Sequence, residues 1–116
     1  MIQKFDERNK NIKVWINGEL LPREQAKISV FDSSVQGGDA VWEGIRVYDG
    51  KIFCFEKHLN RLMESAKSMG FANIPSFAKV KDAIFSTLKA NGMKDDTHIR
   101  LTLTRGEKIT SGMNPK

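Results

Sequence analysis

A chain of 116 residues, 40% hydrophobic and 28% charged, can bury one modest core and not two. No apolar run approaches the roughly 20 residues of a membrane-crossing helix, and the opening MIQKFDERNK lacks the apolar segment of a secretory signal, so the cytoplasm is the expected compartment and no membrane is an expected partner. The net charge of +5 raises the question of nucleic acid, but the 19 lysines and arginines are dispersed, with no run of four and no recognition motif, which leaves either a solvated basic surface or a site for small anionic ligands.

Residues 1–10 read as a polar, mobile arm and 11–106 as one domain. Val14 and Ile16 alternate up to Asn17-Gly18, the strongest short hairpin signal, and the chain returns through Leu20 and Leu21. AKISVF predicts a third short strand with Ile28 and Val30 on one face. DSSVQGGD follows as a loop rich in Gly, Ser and Asp. Alternation resumes from Ala40 to Tyr48, Asp49-Gly50 turns the chain, and Ile52 to Phe55 is the return strand of an antiparallel meander. Cys54, the single cysteine, is expected there as a packed thiol.

Leu59, Leu62, Met63, Ala66 and Met69 form the apolar stripe of a first helix that ends at Gly70. A second helix starts with Ser76 as N-cap, turns Phe77, Val80, Ile84 and Leu88 inward, and stops at Asn91-Gly92. HIRLTLTR is then a strand with Ile99, Leu101 and Leu103 on one face and Arg100, Thr102 and Thr104 on the other. These elements predict an α+β fold: an antiparallel sheet with two helices on one face.

The opposite face of that sheet collects the candidate ligand groups. Trp42, Gly44, Arg46 and Tyr48 share one side of their strand, a set too polar for a core and too poor in lysine for an ordinary wet surface. Trp42 either stacks on a planar ligand or fills a core, and Arg46 is open to the same two readings. Arg100 between hydroxyl neighbours suits a carboxylate clamp, with Glu43 as its competing partner across the sheet. Arg105 meets an anion or solvent, the latter favoured by its place at the strand end. His58 and Arg61, at i and i+3, share a helix face near a helix start, where a phosphate would meet a guanidinium fork; the alternative is a solvated pair. Gly37 and Gly38 lie in no phosphate-binding glycine pattern, and no metal-ligand or nucleophile constellation is present in the sequence.

The ordered set VWINGELLP, SSVQGGDAVWEGIRVYDGKIFCFEKHLNRL, HIRLTLTRG and SGMNP resembles the N-terminal half of the class IV, pyridoxal-phosphate-dependent aminotransferases, whose fold is the D-amino acid aminotransferase-like one. The EGIR element is most similar to the branched-chain amino acid branch; D-amino acid aminotransferases and aminodeoxychorismate lyase share the layout. The resemblance implies that Arg61 binds the phosphate of pyridoxal 5'-phosphate with support from His58. It implies that Trp42 lines the substrate pocket and Arg100 receives a substrate carboxylate, with Arg105 in that role in the D-amino acid branch. The loop holding Gly112 and Met113, within residues 107–116, closes over substrate in the family.

It further implies a homodimer that transfers the amino group of branched-chain L-amino acids to 2-oxoglutarate. Two departures concern the pocket: His98 stands where the branched-chain pattern has Tyr, and Gly37 stands where a Tyr often precedes the loop glycine. The family's Schiff-base lysine belongs to a second domain outside these 116 residues, so no catalytic residue is expected within the chain, and this segment alone is expected to be inactive. A non-catalytic anion-binding or interaction domain is the alternative from another class.

Overall fold

The computed structural model describes residues 6–107. Its first unit is a hairpin of β1 (Lys13–Ile16) and β2 (Glu19–Pro22), turned at Asn17-Gly18. Both turn residues take positive φ, 50° and 94°, the conformation that a two-residue hairpin matched to strand twist requires. The second unit is a three-stranded antiparallel sheet with β3 (Ala40–Tyr48) in the centre, β4 (Lys51–Ile52) on one side and β5 (Thr97–Thr104) on the other. The α-helices among the described residues are α1 (Ser33–Gly37), α2 (Phe55–Ser68) and α3 (Phe77–Asn91).

Side chains on β3 alternate between buried and exposed with period two. Val41, Ile45 and Val47 turn inward and meet Leu103, Ile99 and Thr97 as their cross-strand partners on β5. Against this inner face α2 contributes Leu59, Leu62 and Ala66, and α3 contributes Val80 and Ile84. The core falls into two clusters, Val41 with Leu62, Ala66 and Phe71, and Ile45 with Leu59, Val80 and Ile84; Leu101 packs on both. The expected sheet with two helices on one face is thus observed, and Ser76 caps α3 as read from the sequence, its Oγ accepting from the Lys79 N–H at 3.2 Å.

Five readings need correction. The AKISVF segment forms no strand: Ile28 and Val30 are more than half exposed and no neighbouring strand pairs with them, so alternation alone did not create one. The DSSVQGGD loop contains α1, because Asp32 accepts from both the backbone N–H and the hydroxyl of Ser34, at 2.9 and 2.8 Å, and Gly38 ends the turn at φ 69°. The return strand stops at Ile52; Phe55 already belongs to α2. Cys54 is exposed at the N-cap of α2 with φ 50°, so the thiol is not packed. The strands also form two sheets rather than one meander.

Residues 7–9, within the expected arm, wind into a 3-10 turn capped by Asp6. Arg8 donates from there to the carbonyls of Asp95 and Asp96, at 3.1 and 2.6 Å, on the approach to β5. The β1–β2 hairpin is tied to the end of α3 by Asn91, whose side chain accepts from the N–H of Lys13 at 2.7 Å and donates to its carbonyl at 2.9 Å.

Leu59 has no exposed surface. Leu59→Ala is expected to lower stability by about 2–5 kcal/mol, against about 0.5 kcal/mol or less for Val35→Ala on exposed α1, as read from denaturant midpoints.

Candidate functional site

The sequence-predicted residues fall in three places. The first is the interface of β3 and α2. Glu43 follows the same alternation as Val41 and Ile45 and therefore points into the helix-covered face, where only 5% of its side chain is exposed. A buried carboxylate without partners is costly, and this one has four hydrogen bonds. Arg61 donates from Nε to both oxygens, at 2.9 and 3.1 Å, and from Nη2 to Oε1 at 2.6 Å. The fourth joins Oε1 to His58 Nδ1 at 2.6 Å. Because the ionised carboxylate only accepts, Nδ1 carries the hydrogen, and the 3.4 Å approach of Arg61 Nη2 to that nitrogen is a contact between two donors.

Hydrogen bonding from Arg61 holds the Glu43 carboxyl below its ordinary value, with a smaller contribution from His58 and against the desolvation that burial imposes. The same hydrogen bond pushes the Arg61 guanidinium up, so it is charged at every accessible pH. The reading of His58 and Arg61 as neighbours on one helix face holds. Their place differs for Arg61: α2 begins at Phe55, so this arginine stands in the second turn, beyond the free N–H groups of the helix start. Its side chain remains 67% exposed, and Nη1 makes no hydrogen bond among the described residues. Glu43 fixes one edge of the guanidinium and leaves the other presented outward, an arrangement that fits an oxyanion such as a phosphate.

Sequence reasoning weighed Glu43 only as a partner for Arg100 and missed this role. The usable signal was an acid at an inward position between Val41 and Ile45, which demands a cation from whatever packs there.

The second place is the outer face of the sheet. Trp42 is 55% exposed and does not fill a core. Arg100 lies over its ring at 4.0 Å from the centroid and does not pair with Glu43, which is on the opposite face. Arg46 is exposed, with His98 as its cross-strand partner, and Gly44 stands opposite Arg100. Trp42, Arg46 and Arg100 are therefore brought together on one surface, and His98 joins them.

Arg105 occupies the third place, apart from both. Its side chain is only 9% exposed: Nε donates to Asp39 at 3.1 Å, Nη1 to the Gly70 carbonyl at 3.3 Å and Nη2 to the Met69 carbonyl, while the guanidinium covers the Phe71 ring at 4.5 Å. The expectation that Arg105 faces solvent is overturned, because the end of α2 supplies carbonyls with no helical partner and Arg105 satisfies them. Gly112 and Met113 lie outside the described residues. Among the described residues no group of three or more His, Cys, Asp or Glu is arranged to hold a metal ion.

Fold and site together define an α+β domain that presents one guanidinium beside a helix and a second cationic, aromatic face on its sheet. Residues 40–116 match the amino-transferase class IV family, and the chain belongs to it. Over 107 residues it is 62% identical to the branched-chain-amino-acid aminotransferase-like protein 1 of Arabidopsis thaliana, covering 92% of this chain and 19% of that one. The structure of the Escherichia coli branched-chain amino acid aminotransferase superposes with a TM-score of 0.81 at 30% identity, over 91% of this chain and 37% of the other. The branched-chain amino acid aminotransferase of T.th., complexed with N-(5'-phosphopyridoxyl)-L-glutamate, gives 0.79 at 31% identity, over 90% and 36%. The chain thus spans well under half the length of these relatives.

Since Glu43 has its carboxyl lowered in the folded state, its contribution to stability is complete above the ordinary value of 4.5 and is lost as pH falls through the lower folded value. Stability measured between pH 5 and pH 2 is expected to fall less steeply in Glu43→Gln than in the wild type, after an overall loss from removing the charge partner of Arg61.

Proposed function

We propose that the protein is a pyridoxal 5'-phosphate-dependent transaminase that moves the amino group of branched-chain L-amino acids to 2-oxoglutarate. The observation that carries the reading is Arg61, pinned along one edge by Glu43 and presented along the other. Membership of class IV and the names of the relatives support it, as does the phosphopyridoxyl-glutamate bound by the T.th. enzyme.

The residues present fit the cofactor at its phosphate. Arg61 would hold that group through its outward edge, and His58, locked by Glu43 through Nδ1, turns Nε2 away from the carboxylate as a supporting polar group. The coenzyme, when bound, supplies a ring that stabilises negative charge developing on the substrate. This chain's own contributions are binding and orientation: Arg100 and Arg46 receive substrate carboxylate on the outer face, and Trp42 holds Arg100 in place while offering apolar surface to an aliphatic side chain. Gly112 and Met113 belong to the same reading as part of a loop that closes over substrate, and Arg105 takes the carboxylate only in the D-amino acid alternative. Its carbonyl and Asp39 partners in the described structure favour the branched-chain assignment. A cytoplasmic homodimer completes the reading. No helix among the described residues is long and apolar enough to cross a membrane.

In the full-length protein, Arg61→Ala is expected to weaken pyridoxal 5'-phosphate binding about tenfold or more, from loss of charge-assisted hydrogen bonds, in an equilibrium fluorescence titration. Unchanged affinity in a folded variant would remove Arg61 from the coenzyme's site and this reading with it.

A further inference from the structure

Helix α2 is held to the sheet by polar bonds at two levels. Near its start, His58 and Arg61 grip Glu43 on β3. At its far end, Arg105 reaches over from the close of β5 and donates to two carbonyls, from Nη1 to Gly70 at 3.3 Å and from Nη2 to Met69. Both carbonyls lie past Ser68, the last helical residue, where no N–H of the helix reaches them. Between the two levels the contact is apolar, Leu62 and Ala66 packing with Val41 and Phe71.

The Arg105 end is braced in its turn. Arg105 Nε donates to Asp39, the residue before β3, at 3.1 Å, and its backbone N–H donates to Ser33 Oγ at 2.9 Å. That hydroxyl donates to the Asp39 carbonyl at 3.0 Å, and the Ser33 N–H to the Gly106 carbonyl at 2.8 Å. Thr104 Oγ1 adds a bond to Asp32 at 3.1 Å. Ser33 has no exposed surface, so water does not compete for these bonds. The network therefore joins the entry of β3, the end of β5 and the end of α2 at one point. Apolar contact is non-directional and lets a helix tilt on a sheet, whereas a hydrogen-bonded fork does not. Held at Glu43 alone, α2 would be free to pivot about that bond. From Arg61 to Met69 the helix runs about 12 Å, which is the arm on which Arg105 acts.

We propose that Arg105 is a positioning residue for the coenzyme phosphate and works through α2. Its fork on the Met69 and Gly70 carbonyls, braced by Asp39 and Ser33, fixes the tilt of the helix and so the place at which Arg61 presents its outward edge. This deepens the transaminase reading and rests on it, since it takes Arg61 as the phosphate-binding group. In this role Arg105 acts at a distance and contacts neither coenzyme nor substrate.

The test compares pyridoxal 5'-phosphate with pyridoxal, which lacks the phosphate, as ligands of the full-length protein, with dissociation constants from fluorescence titration. The ratio of the two constants reads the phosphate contact, because a general loss of folded protein weakens both ligands alike. Arg105→Met removes the fork and is expected to lower the preference for the phosphorylated ligand about three- to tenfold, part of one charge-assisted hydrogen bond. Arg105→Lys keeps a cation for Asp39 without the planar fork and is expected to lower it about two- to threefold; it decides the matter if the Met variant does not fold. Val80→Ala, a core truncation on α3 apart from the network, is expected to lower stability and leave the ratio unchanged. Arg61→Ala is expected to remove most of the preference. If Arg61→Ala removes it while the folded Arg105 variants keep it, or if Val80→Ala lowers it as much as they do, the role of Arg105 is overturned and the coenzyme reading stands. If Arg61→Ala itself keeps the preference, the phosphate assignment fails and takes this inference with it.

Discussion

A carboxylate buried inside a small α+β domain has to be answered by a cation, and in this fold the answer comes from the helix that covers it. Glu43 sits on the central strand at a position that alternation gives to the core. Without Arg61 and His58 it would be a charge in an apolar layer, and without Glu43 the long side chain of Arg61 would be free to sample many rotamers in solvent. The pairing fixes the rotation of α2 against β3 and, by the same bonds, the direction of the guanidinium. Packing and ligand binding are therefore not separable at this point in the chain: the contact that locates the helix is the contact that aims the arginine.

The two faces of β3 divide the work. Inward residues Val41, Glu43, Ile45 and Val47 build the core and hold Arg61; outward residues Trp42, Gly44 and Arg46 form the face that Arg100 and His98 share. Because side chains alternate strictly along a strand, a register slip of one residue would move Glu43 into solvent and Trp42 into the core at once. The β3–β5 ladder, eight residues long, and the Asp49-Gly50 turn, with φ of 54° and 77°, hold that register.

Much of this was legible in the amino-acid order, for reasons that differ by element. The long helices could be read from their apolar stripes, and in α3 the stripe coincides with Ser76 and Gly92 as caps, so local and tertiary signals agree. The outer face could be read because Trp42, Arg46 and Arg100 stand at positions of equal parity on two strong strands. The short elements could not. Ile28 and Val30 alternate as a strand would, yet pairing is a tertiary property and no strand meets them. Cys54 lies between two phenylalanines, but the chain must reverse there from β4 into α2, and that demands a left-handed residue rather than a strand. Arg105 was misread for a similar reason: besides Asp39, its partners are the carbonyls of Met69 and Gly70, some 35 positions away, and backbone groups leave no mark in a sequence.

Asn91 carries a consequence for chemical ageing of the protein. Its carboxamide offers an acceptor and a donor in one plane, and it uses both on the backbone of Lys13 while donating as well to the Thr87 carbonyl. Hydrolysis of that amide to an acid, which a following glycine such as Gly92 makes sterically easy, would keep the bond from the Lys13 N–H and turn the other contacts into oxygen facing oxygen. The amino-terminal hairpin would then come loose from the helix on one side only, without a single residue having been mutated.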